Sequence, residues 1–365
     1  MLDLSRVLAG PFCTMTLADM GAQVIKVERP ETGDETRGWG PPFDERGQSA
    51  YFLSTNRNKL SVALDFRLAA DSELIHQLIT GADVVLENFL PGVLARYGID
   101  KAVELAHNRA LIWCTISGFG EGSSRPGYDF VVQAEAGWMA ISGAPDGSPM
   151  KSGVALVDVI AGKDAVAAIL AALVGRTRGA QFEQSISITL RGSATAALVN
   201  VAQNSLVTGA DAKRWGNAHP NLVPYQLFDA ADRPVVIAVG SNGQWLSLVR
   251  ALDLPMLEAD NTFRTNAGRL ANRSTIVSAI ADRVRAMESA ELVERLDQAG
   301  VPCGLVRSVL EALSVVSASR ATGIAPATTG SVRLPPPLLD EHGEQIRKMQ
   351  WSAFSNMPIL DDQGV

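Results

Sequence analysis

Positive charge is what this chain is short of. Its 32 Lys and Arg are outnumbered by 39 Asp and Glu, for a net charge of −7. A surface that binds nucleic acid must neutralise a run of phosphates, so that partner class is excluded. A small anionic ligand needs only a local cluster of arginines and stays open. Cysteine is scarce as well. Cys13, Cys114 and Cys303 are far apart and odd in number, so they form neither a disulfide framework nor a CxxC metal site, and a reducing cytoplasm is the simplest inference. No run approaches the roughly 18 uncharged apolar residues of a membrane helix, which leaves no reason to expect a membrane partner. The opening MLDLSRVLAG lacks the basic region and long apolar segment of a signal peptide. Repeats and low-complexity tracts are absent too.

What remains is ordinary globular composition: 365 residues, 47% hydrophobic and 19% charged, with 32 Gly and 18 Pro. That length supports a full core and two domains. Residues 22–28 (AQVIKVE) alternate apolar and polar side chains, which predicts a strand with one wet face. Before them, residues 9–20 open on Gly10-Pro11 and then take helical spacing, with Pro11 suited to the first turn. Only residues 2–4 are left to form a strand ahead of that helix, so the start reads as clipped. Strands are expected at 61–66, 83–89 and 111–117, with a helix at 72–80 and glycines at 118, 120 and 122. This alternation predicts a parallel sheet in a doubly wound α/β domain. Ligands of such sheets bind beyond the carboxyl ends of the strands, where Arg29, Arg67, Asn88, the 118–122 loop and Asp158 fall.

Further along, a helix is expected at 128–141, a ligand-facing loop at 143–152, a strand at 184–190 and a helix at 194–207. The turn-rich WGNAHPNLVP that begins at Trp215 reads as a linker into a smaller α+β unit. That unit has strands at 234–239 and 302–306 and helices at 244–252, 275–286 and 289–299. The prolines at 335–337 and the acidic residues that follow read as a return segment. The expected organisation is therefore 1–214, 215–312 and 313–365, the last piece completing the first.

The stretch 153–175, GVALVDVIAGKDAVAAILAALVG, organises the rest. Its second half is a small-residue helix suited to tight internal packing. Asp158 stands at its start, with no basic neighbour in sequence until Lys163. It reads either as an N-cap facing the free N–H groups of the helix or as a carboxylate held against an apolar wall as a nucleophile.

Several phrases together resemble the family III CoA-transferases, the formyl-CoA transferase and carnitine-CoA transferase group. They are LDLSRVLAGPFCTMTLADMGAQVIKVERP, TRGWGPPF, NRNKLSVALD, ADVVLENFLPGVLARYG, ISGFGEG, RPGYDFVVQAEAG and VDVIAGKDAVAAILAAL, in this order. The resemblance implies an α/β fold with a Rossmann-like large domain, a smaller α+β domain, and two subunits threaded as interlocked rings. It also implies that Asp158 is the nucleophile. Residues contacting CoA would be Leu8, Ala9, Arg29, Leu64, Phe66, Arg67, Asn88, Leu90, Arg96, Arg125, Tyr128 and Asp129. Arginine suits CoA phosphates because it stays charged and offers a planar fork; an isolated surface Arg is otherwise solvated. Asn88 also reads as a cap for the next turn, and Tyr128 as a packing residue at a helix start. Substrates would be an acyl-CoA and a small carboxylic acid, with no metal and no permanently bound cofactor. The segment GNAHPNLVPY is similar to relatives acting on small dicarboxylic acids. Within it, His219 reads as a turn residue bonded to backbone or as a group orienting a carboxylate. Glycine loops at 118–122 and 240–243 are candidate oxyanion donors, or plain tight turns.

The same fold also serves α-methylacyl-CoA racemases, which need a His in the segment matching 118–129. The four histidines, His76, His107, His219 and His342, all lie elsewhere, and Tyr128 is a poor base near pH 7. A catalytically idle CoA-binding subunit is the remaining reading, motivated by GRTRGAQFEQ, which departs from the family's Gly-Gln pair.

Overall fold

The computed structural model describes residues 1–356; the end of the 313–365 segment lies outside the described residues. The chain divides into two units. The first comprises Met1–Trp138, Lys151–Ala210 and the chain from Val315 onward, and the second Met139–Met150 and Asp211–Ser314.

The first unit is built on six parallel strands: β1 (Leu2–Asp3), β2 (Val24–Glu28), β3 (Lys59–Ala63), β4 (Val84–Glu87), β5 (Ile112–Ser117) and β6 (Ser185–Thr189). Their order is β3-β2-β1-β4-β5-β6, so the winding reverses between β1 and β4, where open α/β sheets bind ligands. β1 is only two residues long yet central. Leu2 pairs with Ile25 and Val85, and Asp3 with Lys26 and Leu86.

Alternate side chains feed two cores. Val84, Leu86, Cys114 and Ile116 face the helices Ala9–Asp19 and Leu156–Thr177. Val85 and Trp113 face the helices Ala69–Thr80 and Gly343–Met349. The small residues of 153–175 serve the first of these contacts. A Cβ on Gly162 would stand 2.7 Å from Ala9 O, so the missing side chain lets the two helices touch.

The expected helix at 128–141 is two pieces, Asp129–Glu135 and Trp138–Ile141. Gly137 between them has φ +86, a left-handed conformation that ends helices. The expected 194–207 helix likewise divides into Leu190–Ala196 and Val199–Thr208. Helix Lys101–His107 was not anticipated; Asp100 caps it, accepting from Ala102 N at 2.8 Å.

Asn58, at φ +63, ties the late chain to the start of β3. Its Oδ1 accepts from Arg333 N (2.6 Å) and Leu334 N (2.8 Å), and its Nδ2 donates to Ser331 O at 2.9 Å. Beside it Arg57 pairs with Asp19 at 2.7 Å.

The second unit carries an antiparallel sheet of β7 (Tyr225–Asp229), β8 (Pro234–Ala238) and β9 (Cys303–Leu305). Helices Asn242–Ala251, Arg273–Arg285 and Ser289–Gln298 cover it around Trp245, Ile276 and Leu292. β7 follows the turn-rich 215–224 directly and was not expected. Residues Met139–Met150 belong to this unit, where Arg214 donates to Ala144 O (3.2 Å) and Gly147 O (2.9 Å).

Candidate active site at the sheet switch point

The ends of β1 and β4 are stitched together at the winding reversal. Arg6 N donates to Asn88 Oδ1 at 3.0 Å, and Asn88 Nδ2 donates to Arg6 O at 2.8 Å. Asn88 thus spends its side chain on backbone. The next residue, Val7, has φ +71, which is strained for a β-branched side chain. The buried Asp34 carboxylate holds it there by accepting from Val7 N at 3.3 Å. The turn delivers Leu8 and Ala9 to the wall of a cavity.

That cavity, of about 230 Å³, is lined by Leu8, Ala9, Asn88, Leu90, Arg125, Tyr128 and Asp158 among the residues singled out in the sequence. A second cavity of about 660 Å³ takes Arg29, Leu64, Phe66 and Arg67, and again Leu90. Arg6, Phe89 and Leu90 line both. Arg96 lines neither and is exposed on the short turn Ala95–Tyr97. Asp129 lines neither and is buried. Arg67 forks onto Asp65 at 2.8 and 2.7 Å. Arg125 pairs with Glu135 and lies 4.2 Å from the Phe119 ring centroid.

Asp158 is not the helix cap. Helix Leu156–Thr177 begins two residues before it, after Ala155, whose side chain caps nothing. The capping oxygen comes from Asp129, whose Oδ1 accepts from Val157 N at 2.8 Å and Asp158 N at 3.3 Å. The N–H groups expected to face Asp158 are therefore engaged by another carboxylate. Asp158 itself is 9% exposed. Burial, and then the charge of Asp129, push its pKa from 3.8 to about 7. A helix N-terminus acts in the opposite direction, so desolvation outweighs it here. Burial, then Asp158 and Asp129, also raise the Tyr51 phenol to about 12, so it keeps its proton at neutral pH.

Of the glycine loops, the 118–122 segment supplies Gly118 to the cavity wall, beside Gly127. Their backbones cross so closely that a Cβ on either would strike the Cα of the other. Gly240 lies in the second unit, and its N–H donates to Gln244 Oε1 at 2.8 Å. No histidine is among the residues lining the Asp158 cavity. His219 Nδ1 accepts from Asn221 N at 3.0 Å, the turn role, and His342 Nδ1 accepts from Ser61 N at 3.2 Å. Sequence reasoning missed Arg6, Glu35 and Gly127 in the cavity lining. The available signal for Arg6 was its place just beyond β1.

The family model described as CoA-transferase family III matches residues 1–346. The chain is 40% identical over 318 residues to the succinate–glutarate CoA-transferase of Agrobacterium fabrum, covering 85% of this chain and 79% of that one. It is 38% identical to the succinyl-CoA:glutarate CoA-transferase of Mus musculus, covering 95% and 84%. Among solved structures, a CaiB/BaiF family protein from Brucella suis superposes with a TM-score of 0.84 at 38% identity, over 95% of this chain and 97% of that one.

Proposed function

The chain belongs to CoA-transferase family III, and from that premise we propose that Asp158 is the nucleophile through which it moves CoA from an acyl-CoA thioester to a free carboxylic acid. The observation that carries this reading is a poorly solvated carboxylate, with pKa raised to about 7, in the wall of a cavity that meets a larger one at Arg6, Phe89 and Leu90. A thioester in the smaller space leaves the nucleotide end of CoA to the larger, beside Arg29 and Arg67.

A carboxylate oxygen of Asp158 attacks the thioester carbonyl, the C–S bond breaks, and CoA thiolate leaves a mixed anhydride on the enzyme. The thiolate then attacks the aspartyl carbonyl of that anhydride, expelling the donor acid and forming an aspartyl-CoA thioester. The acceptor carboxylate attacks this thioester and again releases thiolate. Attack of the thiolate on the acceptor acyl carbonyl gives the new acyl-CoA and restores Asp158. No net proton or electron is transferred, and the thioester energy is kept. Burial serves this chemistry twice: it strips water from the nucleophile and shields the anhydride from hydrolysis. The backbone where Gly118 meets Gly127 supports the tetrahedral oxyanion. Leu8, Ala9, Asn88, Leu90, Arg125 and Tyr128 border the reacting acyl group and pantetheine.

The acyl groups we assign are small dicarboxylic acids of the succinate and glutarate type, because both relatives described above are named for them. Succinyl-CoA incubated with glutarate and a panel of other acids, read by mass spectrometry, is expected to give glutaryl-CoA fastest. Hydroxylamine added during turnover is expected to leave a hydroxamate on the peptide containing Asp158. Prompt α-proton exchange without acyl exchange, or a hydroxamate elsewhere, overturns the assignment.

We also assign this chain to an interlocked homodimer. Leu206 and Val207 on helix Val199–Thr208 are 78% and 75% exposed, an apolar face that a second copy would cover. Sedimentation of the purified protein is expected to give a dimer; a monomer at micromolar concentration contradicts it.

A further inference from the structure

Glu35 accepts from Arg6 Nη1 at 2.5 Å and from Arg29 Nη2 at 3.1 Å, through the same oxygen, Oε1. One carboxylate oxygen therefore holds two guanidinium groups side by side. Arg6 stands where the two cavities meet, and Arg29 lines the larger one. Arg6 is also braced: its backbone is clamped by Asn88, and its guanidinium lies 4.9 Å from the Phe89 ring centroid. Its Nε is buried and has no hydrogen-bond partner among the described residues. The bond to Glu35 thus uses one edge of the fork and leaves another donor unsatisfied, which is costly for a buried N–H.

The neighbouring charges are matched differently. Lys26 with Asp34 and Arg37 with Glu28 are buried pairs at 3.0 and 2.7 Å, whereas Glu35, Arg6 and Arg29 keep 38%, 36% and 58% of their side-chain surface. Exposed pairs of this kind are weak and exchangeable. In CoA the diphosphate lies between the pantetheine arm and the nucleotide. A thioester reaching Asp158 from a nucleotide in the larger cavity must carry that diphosphate past Arg6.

Resting on the function proposed above, we propose that Arg6 and Arg29 form a two-cation clamp for the diphosphate of the CoA thioester. Glu35 is the internal anion that the diphosphate displaces. A diphosphate presents oxyanions on two linked phosphorus centres and so answers both guanidinium groups through the edges that Glu35 now engages. Glu35 keeps the two cations oriented and apart from unrelated anions, at the expense of affinity for CoA.

Calorimetric titration of the full chain with CoA, and with pantetheine, which lacks phosphate, tests this. Removing the carboxylate in Glu35→Gln is expected to lower the Kd for CoA about three- to tenfold, the range open to two exposed pairs. Pantetheine affinity is expected to stay unchanged, and the gain should shrink at about 0.5 M salt. Arg6→Ala is expected to weaken CoA binding and to cancel most of the gain from Glu35→Gln in the double variant. Glu35→Ser provides the same reading should the glutamine rebuild the contact. A Glu35→Gln protein that binds CoA no more tightly than wild type, or that tightens pantetheine equally, overturns the clamp while leaving the transferase reading intact. Wild-type protein that binds no CoA overturns both.

Discussion

Asp158→Asn is expected to cut kcat on the order of 10⁴-fold or more, as loss of a covalent nucleophile does, and at the same time to make the protein more stable at pH 8. The two effects share one cause. The Asp158 carboxyl is nearly buried and titrates at about 7 instead of 3.8, so the folded chain binds its proton more tightly than the unfolded chain. Between those two values the folded state holds more protons, and stability falls as pH rises. Above about 7 the full cost of a buried charge is present, on the order of 2–4 kcal/mol. The asparagine isostere carries no such charge. Melting curves at pH 4 and pH 8 should therefore show near-equal variants in acid and a higher Tm for Asp158→Asn in base. The wild-type rate should follow the same titration, with kcat/KM falling about tenfold per pH unit below about 7. Full activity in Asp158→Asn, or a rate that stays flat down to pH 5, removes Asp158 from the nucleophile role. Equal stability at pH 8 would mean that the carboxylate is better solvated than its burial indicates.

Much of this was legible in the sequence where the signal is local. Alternation in AQVIKVE locates β2 within two residues, but the expected wet face is not there: all five residues of Val24–Glu28 are buried, and the polar ones, Lys26 and Glu28, are paired with Asp34 and Arg37. The small-residue run after Asp158 announces a close helix contact, and Gly162 makes it. What the sequence hid is what the fold brings together. Asp158 reads as a cap because caps are judged from adjacent residues, yet the capping oxygen belongs to Asp129, which comes from another helix. Asn88 was recognisable as a polar residue after a strand, but its partner, the backbone of Arg6, lies 82 positions away. Arg29 was marked by its place after a strand, whereas Arg6 is an ordinary surface arginine by sequence. Only the winding reversal between β1 and β4 and the shared Glu35 oxygen set them as a pair. Gly137 broke an expected helix because a single left-handed residue outweighs an otherwise helical pattern.

The second large effect lies beneath the site. Asp34→Ala is expected to cost about 3–5 kcal/mol of stability, the penalty for stranding one member of a buried ion pair. Lys26 is fully buried and donates to Asp34 Oδ2 at 3.0 Å and to Ser5 O at 2.9 Å; without that carboxylate its charge loses its one ion-pair contact and keeps the Ser5 carbonyl and the weaker fields of Asp3 and Glu28. Burial alone would raise the Asp34 pKa, but Lys26 and the Thr36 N–H overcome it and the net shift is downward. Its stabilising contribution is thus present at neutral pH and lost as pH falls through the folded value, opposite in sign to that of Asp158. Asp34 also holds the strained turn at Val7 and caps the turn Glu35–Gly38, which carries Glu35. Replacing both charges with apolar residues of similar size, Lys26→Met with Asp34→Leu, is therefore expected to recover part of the stability, because neither partner is left stranded, while Asp3 and Glu28 lose the charge of Lys26. It should not recover CoA binding, because the Val7 N–H and the cap at Thr36 lose their acceptor and the Arg6–Leu8 turn is released. Urea midpoints and CoA titrations on the single and double variants separate the two roles. A double variant that binds CoA like wild type would reduce Asp34 to a stability element; one that regains neither property would show that the polar layer cannot be replaced by packing.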